Sequence, residues 1–489
     1  MKLNQLLQGL EQKEIIGDGD IEIGSIVYDS RKVQKDSLFI CIDGYVSDGH
    51  DYIPQAIKAG AAAVMIQKDR MVAGPVCIRV PDTRIGLAMA SCNYFGNPSR
   101  KLHLVGITGT KGKTTATFMI RSILEADGKK SGLIGTIVNL IGDEKVHTSR
   151  TTPESYDLQS LLADCVRSGL GHCIMEVSSQ GLFLNRVYGC EYEIGVFTNL
   201  YNDHIGAGEH ANIDEYWQAK ALLFDRSKNA VINIDADYSI QMMERVKANK
   251  NASLITFGLS PNAMVRAMDL ETIVSKDRIG TRFTIESPWY HGSLFVGMPG
   301  KFNVYNALCA ISCAGILGVP FEAILAGLSD VTVKGRVQAV RTNRDFQVIV
   351  DYAHNAASLE SLLQTLREYR KGRLICVFGC GGNRAKSRRF DMGEISGKFA
   401  DFTVITSDNP RTEPPESILM DIETGVKRTK GEYVKILDRT DAISYAITHA
   451  QPGDMVIIAG KGHEDYQEFA DRTIHYDDVE VATKILEEM

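Results

Sequence analysis

Seven apolar runs in this chain stop abruptly in polar or glycine-rich clusters, and nothing else in the sequence limits the fold as tightly. The clusters are Thr108-Gly109-Thr110, Glu176-Val177-Ser178-Ser179, Thr198-Asn199, Asp351-Tyr352-Ala353-His354, Gly379 to Arg384, Ser407 to Arg411 and Gly460 to Glu464. A run that is apolar along its length suits a parallel strand covered by helices on both faces. Ligands of such sheets bind just outside the carboxyl ends of the strands. The pattern therefore predicts an α/β fold with two sites, or two halves of one cleft.

At 489 residues the chain exceeds one hydrophobic core and predicts two to four domains. Three blocks are legible. The first, 1–101, holds strand-like runs at Ser25–Tyr28, Ser37–Ile42, Ala62–Ile66 and Val76–Val80, with a helical stretch after Pro54. The turn-forming Gly96-Asn97-Pro98-Ser99 closes it. The second, 102–332, opens as strand, glycine-rich turn and helix. The third, 333–489, alternates strands (Phe346–Val350, Leu374–Phe378, Phe402–Ile405, Met455–Ala459) with helices. No apolar run reaches the roughly 18 residues of a membrane span, and the start of the chain has no signal-peptide pattern, so a cytoplasmic protein is expected. Ten cysteines without a CxxC pair read as buried thiols rather than a disulfide or zinc scaffold. A net charge of −7 disfavours nucleic acid as a partner.

The segment from Gly106 to Thr115 follows a strand and opens a helix. Gly109 and Gly112 let backbone N–H groups turn toward an anion, the helix N-terminus favours negative charge, Lys113 meets phosphate, and Thr114 reaches magnesium. A strict GxxxxGK[ST] motif would need glycine where Ile107 stands; what is present is TGTxGKTT. A nucleotide is the expected ligand, with Gly109, Thr110, Lys111, Gly112, Lys113, Thr114 and Thr115 around its phosphates. Glu176, a carboxylate at a strand end beside this loop, suits magnesium.

The loop Thr108–Thr115, the Glu176 strand end, Asn202-Asp203-His204, Lys220, Asn303 and Asn306, the Asp351–His354 tetrapeptide, Asp408-Asn409-Pro410-Arg411 and Gly460–Glu464 together resemble the Mur ligase family. The set runs in order over nearly the whole chain. The resemblance implies a three-domain α/β enzyme: a small N-terminal UDP-binding domain, a central P-loop-type ATPase and a C-terminal Rossmann-like domain. It implies ATP-dependent amide formation through an acyl phosphate, the branch adding meso-2,6-diaminopimelate to the D-Glu carboxylate of UDP-MurNAc-L-Ala-D-Glu for peptidoglycan. Magnesium would be the cofactor and small molecules the partners of a monomer.

By that resemblance His204 is a second metal ligand. Lys220 carries carbon dioxide as a carbamate (N6-carboxylysine) and holds a second magnesium. Asn306 and Arg336 contact ATP, and Asp351 and His354 complete the catalytic set. The UDP-substrate would meet Ser30, Tyr45, Val46 and Ser47, and its peptide Thr151, Thr152, Ser178 and Arg186. Lys220 lies in what reads as an amphipathic helix capped by an Asp. An ATP site supplied by two blocks predicts hinge motion near Thr332–Gly335.

Diaminopimelate has a distal carboxylate that lysine lacks, and an arginine fork pairs a carboxylate bidentately. Asp408, Asn409, Pro410 and Arg411 supply that fork, Arg384 a further cation, and Gly460 and Glu464 an amine contact. The chain departs from the family at Lys111, Gln180, Leu184, Gly206 to His210 and Asn355-Ala356-Ala357. A lysine-adding or folylpolyglutamate-type ligase, a paralogue with another acceptor, and a non-catalytic ATP-binding partner of a cell-wall enzyme are the competing expectations.

Overall fold

The computed structural model describes residues 1–44, 47–148, 150–202, 205–206, 209–250, 252–275 and 278–489. They form two compact units, Met1–Arg266 with Leu308–Ile324, and Ala267–Ala307 with Leu325–Met489.

The first unit contains two sheets. The smaller runs in the order Glu14–Ile16, Val76–Arg79, Ala61–Ile66, Ser37–Ile40, Ser25–Val27, parallel except for the first pair. Leu3, Leu6, Leu38, Ile40, Met65, Ile78 and Leu87 fill one of its faces. Four of its strands fall where the apolar runs predict them; the edge strand Glu14–Ile16 was not read from the sequence. The helix Thr83–Tyr94 was not legible, because apart from Leu87 its buried residues are small (Thr83, Gly86, Ala88, Ala90, Ser91 and Cys92) and make no strong apolar stripe. Asp82 starts it by accepting from the N–H groups of Arg84 and Ile85.

In the larger sheet six consecutive strands are parallel: Ser253–Gly258, Ser227–Asn233, Tyr192–Phe197, His103–Thr108, His172–Glu176 and Ser131–Ile134. The strand His103–Thr108 is central. The chain first builds outward on one side of it, then crosses to the other, so this strand stands at the reversal of order where a ligand crevice opens. Glu176 pairs with Ile107, and Phe197 with Thr108, which brings three of the polar strand ends level.

The second unit holds an antiparallel pair, Ile279–Glu286 with His291–Val296, and a six-stranded sheet. That sheet is ordered Gln338–Val340, Gln347–Asp351, Met455–Ala459, Leu374–Phe378, Phe402–Ile405, Glu432–Lys435, parallel after its first pair. Leu359, Leu363, Phe378, Met392 and Ile422 fill one face; Val348, Val350, Val377, Ile443 and Ile458 fill the other. Helices cover both faces, and the remaining four polar strand ends share one rim. All ten cysteines are buried and unpaired.

Candidate active site

The strand His103–Thr108 hands over to the helix Lys113–Ala126 through a loop with Gly109 at φ 151° and Gly112 at φ 85°. A Cβ on Gly109 would lie 2.0 Å from Thr198 Oγ1, so no other residue fits there. Asn199 staples the loop from the neighbouring strand end. Its Oδ1 accepts from the Lys111 N–H at 2.9 Å and its Nδ2 donates to the Lys111 carbonyl at 3.0 Å. Lys113 Nζ donates to the Gly109 and Thr110 carbonyls at 2.8 and 3.2 Å. Lys220 Nζ reaches the Gly109 carbonyl at 3.1 Å and sits 4.3 Å from the Tyr216 ring centroid. Two ammonium groups thus meet over one loop, a cradle for polyphosphate.

Lys220 is buried, and its helix is Ile213–Ala221. The cap is Asn212, whose side chain accepts from the Glu215 N–H, rather than the Asp read from the sequence. The Asp that stands next, Asp214, lies inside the first turn.

Glu176 is buried at its strand end. Thr114 Oγ1 donates to its Oε2 at 2.9 Å, the Thr136 N–H to its Oε1 at 2.8 Å, and Thr136 Oγ1 to Oε2 at 3.1 Å. A hydroxyl and a carboxylate converging beside a phosphate loop are the oxygen donors magnesium takes, with phosphate and water completing its shell. Among the described residues no three His, Cys, Asp or Glu side chains converge into a ready-made cage. His204, expected as a further ligand, lies outside the described residues.

Next to Glu176, the Thr151 and Thr136 hydroxyls are 3.0 Å apart. Thr152 is buried, donating to the Glu176 carbonyl and accepting from the Ser178 N–H. The Ser178 hydroxyl caps Ser179–Phe183 by accepting from the Gly181 N–H. Arg186 donates to the Thr152 carbonyl at 3.3 Å and pairs with Glu154 at 3.0 Å. Glu154 also holds Arg84 at 3.3 Å and Arg150 at 2.7 Å, so one carboxylate gathers three guanidinium groups. In the small sheet's region Ser30 Oγ donates to Gln55 Oε1 at 3.3 Å, and Ser47 is exposed. Tyr45 and Val46 lie outside the described residues.

In the second unit Arg411 adopts φ 54°, a left-handed backbone uncommon for a residue with a side chain. Its Nε donates to Glu468 Oε2 and its Nη1 to the Gly382 carbonyl, both at 2.9 Å, which leaves Nη2 for a carboxylate. Arg384 is exposed; a Cβ on Gly381 would stand 3.0 Å from Arg411 Nη1 and 3.9 Å from Arg384 Cγ, so both arginines flank that glycine. Buried Arg389 pairs with Glu413 at 2.7 Å and Asp421 at 2.9 Å, and Glu413 accepts the Asn383 N–H at 2.5 Å. Both arginine-bearing loops are fixed in this way. The Arg389 guanidinium holds the Glu413 carboxyl at about 2. Asp408 is buried with Pro410 beside it. Gly460, at φ 115°, passes so near that a Cβ would lie 2.8 Å from Asp408 Oδ2. Burial raises the Glu464 carboxyl above its ordinary value.

Asp351 accepts from the Val337 and Ala353 N–H groups, both at 2.8 Å, so it also clamps the segment that presents Arg336. The Arg336 guanidinium lies 4.9 Å from the Tyr352 ring, whose other neighbours are His354 at 4.5 Å and His463 at 4.6 Å. Burial, with the neighbouring cations, lowers both imidazoles below their ordinary value, His463 to about 4. Among the described residues Arg336 Nε is buried without a partner. Asn303 and Asn306 share one face of Lys301–Ile316, Asn306 Nδ2 donating to Asn303 Oδ1 at 3.1 Å.

Sequence reasoning missed Thr136, Glu154, Arg84, Lys461 and Glu468. Lys461 sat inside a recognised strand end and Glu154 directly after the Thr151-Thr152-Pro153 segment, but the contacts of Lys461 with Asn409 and of Glu154 with Arg84 span more than fifty residues and left no local signal.

Three family models match this chain in order: the Mur ligase family catalytic domain over residues 22–93, the Mur ligase middle domain over 107–314, and the Mur ligase glutamate ligase domain over 335–462. It is 46% identical to the UDP-N-acetylmuramoyl-L-alanyl-D-glutamate–2,6-diaminopimelate ligase of Alkaliphilus metalliredigens, over 100% of this chain and 98% of that protein. It is 44% identical to the protein of the same name from Caldanaerobacter subterraneus, over 100% and 99%. A solved structure titled with that ligase's name superposes with a TM-score of 0.75 at 29% identity, covering 100% of this chain and 99% of that one.

Proposed function

This chain belongs to the Mur ligase family, and from that premise we propose that it is the ATP-dependent ligase that joins meso-2,6-diaminopimelate to the D-Glu carboxylate of UDP-MurNAc-L-Ala-D-Glu in peptidoglycan precursor synthesis. The observation that carries the choice of amino acid is the Arg411 fork, open at Nη2 and standing on the same rim as Glu464. An arginine and a carboxylate on one rim match the acid and amine at one end of diaminopimelate.

The reaction must bring a carboxylate to the γ-phosphate of ATP, anion against anion. Lys113 and the loop amides offset the triphosphate charge, with Gly109, Thr110, Lys111, Gly112, Thr114 and Thr115 shaping the cradle. Magnesium, held by Thr114, Glu176 and His204, would supply further neutralisation of the transferring phosphoryl group. Lys220 as N6-carboxylysine would add a second anionic ligand, its uncharged amine adding to carbon dioxide and releasing a proton. A carboxylate oxygen then attacks the γ-phosphorus, ADP leaves, and the substrate amine displaces phosphate from the acyl phosphate. Asn306 and Arg336 serve ATP, and Asp351 and His354 order the approach from 333–489. Thr151, Thr152, Ser178 and Arg186 receive the peptide, with Ser30, Tyr45, Val46 and Ser47 at the uridine end. Asp408, Asn409, Pro410, Arg384 and Gly460 frame the amino acid. The division into 1–101, 102–332 and 333–489 assigns one substrate to each part. The enzyme would act as a cytoplasmic monomer; no described helix is long and apolar enough to cross a membrane.

Phosphate release with ATP, magnesium and UDP-MurNAc-L-Ala-D-Glu tests the reading. Turnover is expected with diaminopimelate and not with lysine. Lysine-only turnover would reassign Arg411, and ATP binding without turnover would make the chain a non-catalytic partner.

A further inference from the structure

Lys461 is completely buried, a costly place for an ammonium group unless it does something there. Its Nζ donates to Asn409 Oδ1 at 3.0 Å and to Glu464 Oε2 at 3.4 Å, and lies 5.4 Å from the Tyr466 ring centroid. The Asn409 amide is fixed from both sides. Its Oδ1 also accepts from the Glu468 N–H at 3.1 Å, and its Nδ2 therefore turns to Glu464 Oε2, at 2.9 Å. One carboxylate oxygen of Glu464 thus receives both the Asn409 amide and the ammonium, and Oε1 is left toward the rim. Glu468 ties the same network to Arg411, through its side chain and through its carbonyl, which accepts from the Arg411 N–H at 3.0 Å.

We propose that Lys461 is a positioning residue for the amino-acid substrate: its ammonium holds Glu464 ionised and aimed, so that Glu464 receives an ammonium group of the incoming diamino acid. This rests on the ligase reading above. The groups facing Glu464 are Lys461 and Asn409, the acid Asp408, and the rings of Tyr352 and Tyr466. Asp408 and burial favour its protonated form, and Lys461 opposes them. A protonated Glu464 would not attract a cation, so the charge at 461 sets the pH at which the site works.

The test is Lys461→Met, which keeps length and removes charge, assayed by phosphate release with diaminopimelate and ATP varied separately. The KM for diaminopimelate is expected to rise about tenfold, the loss of roughly one charge-assisted hydrogen bond, while the KM for ATP stays within about twofold. The acid limb of kcat/KM for diaminopimelate should move to higher pH, and Glu464→Gln should abolish that limb and add little further loss to Lys461→Met. Equal rises in both KM values, or an unmoved acid limb, would overturn the proposal and leave Lys461 a structural residue. Should Lys461→Met not fold, Lys461→Arg, which keeps the charge but displaces it, must shift the same KM selectively, and an unchanged value would overturn the proposal. Wild-type protein inactive with diaminopimelate would instead remove the ligase reading itself.

Discussion

At the scale of single residues, the proposed reaction between anions would meet cations at Lys113 and Arg411. Arg411 illustrates the difference between charge and shape. Its planar fork is held from behind by Glu468 and the Gly382 carbonyl, so only a guanidinium can reach both and still offer a donor forward. Arg411→Lys should therefore raise the KM for diaminopimelate by about tenfold or more and leave that for ATP nearly unchanged, as read from separate substrate titrations. Arg411, Lys113 and Glu176 were legible in the sequence because each stands in or just after the polar cluster that ends an apolar run. Lys461 was not: its meaning comes from Asn409, more than fifty residues earlier, and only the fold brings the two together. The burial of Lys220 was equally hidden, since a lysine on a short polar helix reads as solvated until the loop carbonyl above it is known.

Elements show the same division. Parallel strands were read closely from apolar runs, while Thr83–Tyr94 escaped because small residues bury without a periodic signature. Loops depend most on the fold. Gly335, at φ 63°, packs directly on the 460–463 turn, where an added Cβ would meet the Gly462 carbonyl carbon at 2.0 Å and the His463 nitrogen at 2.1 Å. Backbone cannot yield as a flexible side chain can. Gly335→Ala should cost about 2–4 kcal/mol from strain and overpacking together, measured by urea unfolding. His463, in that turn, gives the element a pH dependence. Its folded imidazole protonates only near about 4, whereas the unfolded ring takes a proton below about 6.5. The unfolded state binds more protons between those values, so stability rises with pH across that window and falls on acidification. His463→Gln should flatten this slope, a difference on the order of 2 kcal/mol between pH 4 and 7 in unfolding midpoints.

Across the whole molecule, the α/β class and the rim of polar strand ends followed from hydrophobic patterning alone, whereas the networks that tune those ends did not. Patterning reports which face of a strand is covered; it carries nothing about which distant side chain meets the exposed tip. Glu154 makes the point in evolutionary terms. Arg84, Arg150 and Arg186, drawn from widely separated stretches, all close on it. A single change that removes the acid would leave three guanidinium groups facing one another, so loss of the carboxylate is expected to be tolerated only when the arginines change with it. The cluster should behave as a hereditary unit, kept whole or exchanged whole, and grafting this region into a distant relative would succeed only if all four positions travel as a set.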